Sequence, residues 1–239
     1  TIQSPGQEEQ KVSKNTLLLE LKTALKNPVT LKVGLYTAFL NLPLMVISAV
    51  FASLFLTQIH ALSLAQSAFI ASMIAIGTIF GSPMYGTLSD LFGMRRIWMI
   101  LGGIFSSIVM FLILFAPSSM LYLSFLFFLL GLFTSSQVLG YPTITENSPK
   151  HLQGTSMGIA AVIIMGLPML IQPLTGTLMD LFWMGAWTEG GNRLYPFSSF
   201  LASFSLLPLL FLLGSYLVKN PLSLENSQPE MQQLDPIRA

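Results

Sequence analysis

The side chains in this sequence that could do chemistry are few and fall in a handful of places. Asp90 stands between Gly86 and Gly93, with Arg95 and Arg96 just beyond. A carboxylate this close to two guanidiniums supports ion pairing. Asp90 can also accept hydrogen bonds from the free N–H groups of a helix N-terminus, while the arginines can grip carboxylates or lipid phosphate. Gly93 permits the tight turn so short a connection needs, and Gly86 lets a helix end approach its neighbours. The run Pro83–Phe92 returns as Pro173–Phe182, with Gly176 and Asp180 in the places of Gly86 and Asp90. Elsewhere the polar groups in apolar surroundings are hydroxyls and amides. Gly34, Thr37, Asn41 and Ser48 share one helical face, and Thr134, Gln137 and Tyr141 share another. Such groups recognise a solute by hydrogen bonding, or join helices at roughly 0.6 kcal/mol each. Covalent chemistry is poorly provided for. The chain has no cysteine, and its two histidines, His60 and His151, fall in connections where solvated or interfacial rings are expected. With no serine–histidine pair, HExxH or paired aspartates at membrane depth, neither an enzyme, a metal site nor another cofactor is expected.

These residues must be positioned by membrane helices. Of 239 residues 53% are hydrophobic and only 9% charged, against about a quarter charged in soluble domains. Mean hydropathy is +0.70. A net charge of +1 lacks the basic face that nucleic acid would require. One Asp, Lys or Arg at mid-span costs about 2.5–3.5 kcal/mol, so charge-free runs long enough for a core of roughly 30 Å mark the spans. Six are predicted, at about 33–59, 66–88, 97–116, 120–145, 155–179 and 195–218. No Asp, Glu, Lys, Arg or His lies within them. The fold class is therefore an all-α integral membrane protein. Ten basic residues, from Lys11 to Arg238, fall on one side of this topology and only Arg193 on the other, which places both termini in the cytoplasm. Trp183, Trp187 and Tyr195 are expected as interfacial anchors.

Residues 1–31 read as a polar cytoplasmic segment whose Thr16–Lys26 stretch is amphipathic and ends at Asn27–Pro28. Residues 32–219 form the membrane domain, and 220–239 a disordered tail. The polar beginning holds no apolar signal segment, and the initial Thr suggests a piece of a longer or processed chain. The ninety-residue repeat closes the second helix of each group of three. Because three is odd, the two groups face opposite sides, making two inverted three-helix repeats of the kind found in secondary transporters. Pro43 removes one backbone hydrogen bond near Asn41, and Asn41 and Gln137 both fall near mid-membrane.

The loop Gly86-Thr-Leu-Ser-Asp90-Leu-Phe-Gly93-Met-Arg95-Arg96 resembles the G-x-L-x-D-x-x-G-x-[RK]-[RK] loop of the major facilitator superfamily, departing from it at Leu91 and Met94. Gly131–Gln137, Glu146–Pro149 and Gly154–Gly158 resemble the tenth helix and following loop of such transporters. The resemblance covers Ala24 to Val218 and implies the C-terminal half of a twelve-helix transporter. It implies that Asp90 meets the start of the fifth span, near Gly154–Met157, as a cytoplasmic latch that stabilises the outward-open state. It further implies a cavity lined by Thr37, Asn41, Thr134, Gln137 and Tyr141 for a small-molecule substrate, and alternating access in the plasma (inner) membrane. The partners implied are the lipid bilayer and the missing N-terminal six-helix half or a second copy. Any proton-titrating group would then lie in the other half. The alternative is a free-standing six-helix protein, acting as a homodimeric transporter or channel or as a scaffold.

Overall fold

A computed structural model describes residues 14–188 and 190–219. The polar ends expected at 1–13 and 220–239 lie outside the described residues. Helix α1 (Lys14–Lys26) is followed by six helices long and apolar enough to cross a membrane. These are α2 (Pro28–His60), α3 (Leu64–Phe92), α4 (Arg95–Leu114), α5 (Met120–Glu146), α6 (Lys150–Leu181) and α7 (Phe197–Lys219). All six predicted spans are present, most of them longer by a few residues at one or both ends. Among the described residues the only β pairing is an isolated bridge between Trp187 and Arg193.

Local chemistry sets the boundaries. Asn27 ends α1 and caps α2, accepting from the Val29 N–H at 2.9 Å, with Pro28 in the first turn where its missing N–H costs nothing. Ser63 and Gln66 form a reciprocal capping box that opens α3. Gly93 closes α3 at φ 63°, donating its N–H to the Ser89 carbonyl at 3.0 Å, so the turn predicted there does require glycine. Ala61 adopts a left-handed φ of 52° after α2, a conformation that costs an L-residue with a Cβ about 1–2 kcal/mol. Pro43 opens a π-helical stretch, Pro43–Phe51, within α2. Its ring cannot donate to the preceding turn, and the i→i+5 spacing absorbs the mismatch. Positions beyond it leave the 3.6-residue period. Ser48, expected on the face of Thr37 and Asn41, instead donates to the Ala71 carbonyl of α3 at 3.0 Å.

The helices pack in a pattern that survives exchange of one three-helix group for the other. α3 packs on α5 as α6 packs on α2, α4 contacts α5 as α7 contacts α2, and α4 and α7 face each other. This is consistent with two inverted repeats. At the α3–α5 crossing, a Cβ on Gly77 or Gly131 would collide with backbone of the opposite helix, and one on Gly81 with Ser135 and the Leu132 carbonyl. The small-residue spacing of Gly77 and Gly81 does bring two helices together. Gly154 and Gly158 have the same spacing, but a Cβ on either would meet nothing within 4 Å, so the close packing expected there is not made within the described chain.

Enclosure differs sharply between helices. In the most apolar window of α2, 61% of residues are buried, against 22% in α6. Large apolar side chains such as Ile79, Phe80, Val162, Met169 and Leu170 point outward, as lipid or another protein surface requires. His60 corrects an expectation. It is the last residue of α2, 7% exposed and packed edge-on against Phe55. The ring is therefore packed at a helix end rather than solvated in a connection.

Candidate functional site

Three polar clusters lie along the bundle. The first gathers at the end carrying the start of α2, where Asn27 donates to the Asn147 carbonyl at 3.2 Å. Arg95, the first residue of α4, is its hub: its guanidinium pairs with Glu146 at the end of α5, donates to the Ser89 hydroxyl at 3.2 Å and lies 3.8 Å from Asp90. Asp90 keeps 77% of its side chain exposed. Arg96 donates to the Val218 carbonyl at 2.9 Å, tying α4 to the last turn of α7. The expected pairing of Asp90 with the start of the fifth span is not among its contacts here. Its partner in the described chain is Arg95 alone. No neighbour approaches Gly86 within 4 Å of where a Cβ would sit, so its predicted close approach is not to this bundle. Sequence reasoning gives Glu146 no role of its own; the signal that could have promoted it is its place at a helix C-terminus opposite two arginines.

The second cluster lies between α2 and α5. Thr37 and Gln137 do come together: the Thr37 hydroxyl donates to the Gln137 carbonyl at 3.4 Å, and Thr37 fills the notch left by Gly140. Asn41, one turn further along α2, is 6% exposed, and its amide makes no hydrogen bond among the described residues. The Gln137 side-chain amide is half-buried and likewise without a partner among them. Thr134 is 2% exposed and spends its hydroxyl on its own helix, donating to the Leu130 carbonyl at 2.8 Å. Tyr141 is exposed, its hydroxyl free of described partners. Sequence reasoning missed Tyr36. Fully buried beside Thr37, its hydroxyl donates to the Met99 carbonyl and meets the Ser136 hydroxyl, each at 2.7 Å, joining α2, α4 and α5.

The third cluster caps the opposite end. Asp180, at the end of α6, pairs with Arg193 at 2.6 Å and accepts from the Tyr195 hydroxyl at 2.7 Å. Arg193 also lies over the Trp183 ring, 4.7 Å from its centroid. The neighbouring Asp180 carboxylate raises the Arg193 pKa further, and burial with that same hydrogen bond raises the Tyr195 phenol. Tyr195 and Trp183 thus do more than anchor an interface. Gln58 of α2 holds the connection down from both sides, donating to the Arg193 carbonyl and accepting from the Tyr195 N–H, both at 2.9 Å. A cavity of about 640 Å³ opens here, lined by Gln58, Thr188, Asn192 and Arg193 among others. Asp90 and Asp180 therefore stand at opposite ends of the bundle, each beside an arginine. As with Gly86, nothing comes within 4 Å of a Cβ on Gly176.

The sequence profile of the Major Facilitator Superfamily matches residues 4–238. The chain belongs to that superfamily. Its six apolar helices make it an integral, multi-pass membrane protein the size of one six-helix half. Members of the major facilitator superfamily are transporters, and the protein is a membrane transport protein of that type. No curated protein matches the sequence. Its charged clusters sit at the two ends of the bundle and the amides of Asn41 and Gln137 between them. No group of three or more potential metal ligands occurs among the described residues.

Proposed function

We propose that the chain is the C-terminal half of a secondary transporter that moves a small polar solute by alternating access, rocking as a unit against its N-terminal half. The observation that carries this reading is Asn41. An enclosed residue whose amide has no hydrogen-bond partner among the described residues is free to bond a solute, or the water that precedes it, in an otherwise apolar bundle. Gln137 lies just across the Thr37 contact and offers a second amide. Residues 1–31 serve as the linker from the other half, 32–219 as the rocking bundle and 220–239 as the tail. Both termini are cytoplasmic by the basic-residue count, and the plasma membrane is the expected location.

The partner half packs on the least enclosed helix, α6, and on the exposed face of α3. The open glycines Gly154, Gly158 and Gly166 on α6 leave room for a neighbouring backbone. Asp90 then serves as the cytoplasmic latch, its exposed carboxylate meeting a helix start across that interface, with Arg95 and Glu146 holding it in place. Asp180 and Arg193 make the corresponding fastening at the outer mouth.

A blot of native membranes with an antibody to the tail at 225–239 tests the half-transporter reading. A band near twice the 26.2 kDa of this chain is expected. A band near 26.2 kDa would sink it and favour a second copy of the same chain on the open face of α6. In uptake measurements on vesicles, Asn41→Ala and Gln137→Ala are expected to raise KM about five- to tenfold, the loss of one hydrogen bond each, with protein level unchanged. A fall in abundance with KM unaltered would make both of them packing residues.

A further inference from the structure

We propose that His60 is a proton-binding site that couples the outer end of α2 to the pH of the compartment it faces. Its Nδ1 lies 3.0 Å from the Ser118 hydroxyl in the connection between α4 and α5. Its Nε2 is buried and has no partner among the described residues. Either neutral tautomer satisfies Nδ1, by donating to or accepting from Ser118, and leaves Nε2 idle. Protonation makes Nε2 a charged donor with nothing to receive it, against the edge-on Phe55 ring. The packed conformation therefore selects the neutral ring, and a displaced conformation in which Nε2 reaches water selects the charged one.

Among the described residues the surroundings supply no counter-charge. The ring meets Phe55 and the Ser118 hydroxyl, Phe55 packs in turn on Phe200 and Phe204, and the stretches 52–59, 117–119 and 197–204 that hold these residues carry no Asp, Glu, Lys or Arg. The titratable phenols at this end are Tyr122 and Tyr195. Its described charges, Asp180 and Arg193, pair with each other. The backbone is poised to move: Ala61, directly after the histidine, holds the strained left-handed turn, and two residues before it Gln58 grips the Arg193–Tyr195 connection. Displacing His60 therefore pulls on the strap that closes the outer mouth.

The chain has no cysteine, so Leu62→Cys supplies a single thiol beside the ring. The full chain in nanodiscs is labelled with a water-soluble methanethiosulfonate from about pH 7.5 to about pH 5.5, bracketing the ordinary imidazole value near 6.5. The same chain carrying His60→Gln is labelled in parallel, and the ratio of the two rates cancels the pH dependence of the thiol itself. The packed state binds the proton less well than the displaced one, so its advantage is complete above about pH 6.5 and lost as pH falls. The ratio is expected to rise by up to about tenfold per unit of acidification below that point. A flat ratio overturns the proposal. Histidine nitrogen NMR on the chain without the cysteine, assigned with His60→Gln, gives an independent reading: the His60 ring is expected to stay neutral below the ordinary imidazole value near 6.5. A His60 ring that protonates at that ordinary value would equally overturn it. Neither measurement depends on transport, so the outcome stands apart from the half-transporter reading.

Discussion

Gly131→Leu is expected to abolish the folded bundle, while Gly158→Leu leaves it intact. The two glycines each lie inside a membrane helix, one on α5 and one on α6, and differ in what faces them. A Cβ on Gly131 would land on the Ile74 carbonyl, so the obstacle is backbone held by its own helix rather than a side chain free to turn away. Gly77, across the same crossing, presses equally on the Phe128 carbonyl. Overpacking costs about 1–3 kcal/mol where side chains can adjust, and here the helices themselves must part, against a net stability of only about 5–15 kcal/mol. Gly158 faces open space, and leucine improves on glycine by up to about 1 kcal/mol in a helix interior. Size-exclusion profiles and thermal midpoints in detergent separate the cases. A monodisperse Gly131→Leu protein would show that α3 and α5 are not in backbone contact. Loss of transport by a well-folded Gly158→Leu protein would place the partner half on that face of α6.

The second large effect is expected at Arg95. Its guanidinium engages Glu146, Ser89 and Asp90 together, so Arg95→Gln removes two ion pairs and leaves both carboxylates without their shared cation. Initial uptake in vesicles is expected to fall about tenfold or more, in the range of ordinary coupling energies between conformational states, with membrane insertion unchanged. Asp90→Asn acts on the same unit and is expected to give a similar loss. The Arg95→Gln, Asp90→Asn double variant should be little worse than either single change, since the two groups work as one. Strictly additive losses would mean that Arg95 and Asp90 act separately, and unchanged uptake in Asp90→Asn would remove the latch.

How much of this is legible in the sequence depends on whether a contact is announced locally. Span positions follow from charge-free runs, and Asn27–Pro28, Gly93 and the Gly77–Gly81 pair each do what their types suggest, because turns, caps and close crossings depend on residues near in sequence. The Thr37–Gln137 contact is also foreseeable, since both lie on facing polar stripes at matching depth. The failures are of two kinds. Charge-free length counts a terminal histidine as loop and so makes His60 solvated, whereas the Phe55 and Ser118 side chains that bury it come from packing. Ser48 is misplaced by a helical wheel because the π stretch after Pro43 shifts the phase by an amount no period of 3.6 anticipates. Glu146, Tyr36 and Gln58 escape notice for a common reason. Each finds its partner far off in the sequence, on another helix or connection, and nothing beside it marks the meeting.

The enclosure of α2 has a bearing on how the protein is made. Its buried polar groups are satisfied late: the Tyr36 hydroxyl meets Ser136 one hundred residues further on, and Gly34 packs on Ala160 of α6. At roughly 5–20 residues per second, synthesis leaves Tyr36 waiting about 5–20 s for that hydroxyl. Through that interval α2 lacks the enclosure that it has in the folded bundle. It must be sheltered, by the insertion machinery or by helices already in place, until the last two spans arrive to enclose it.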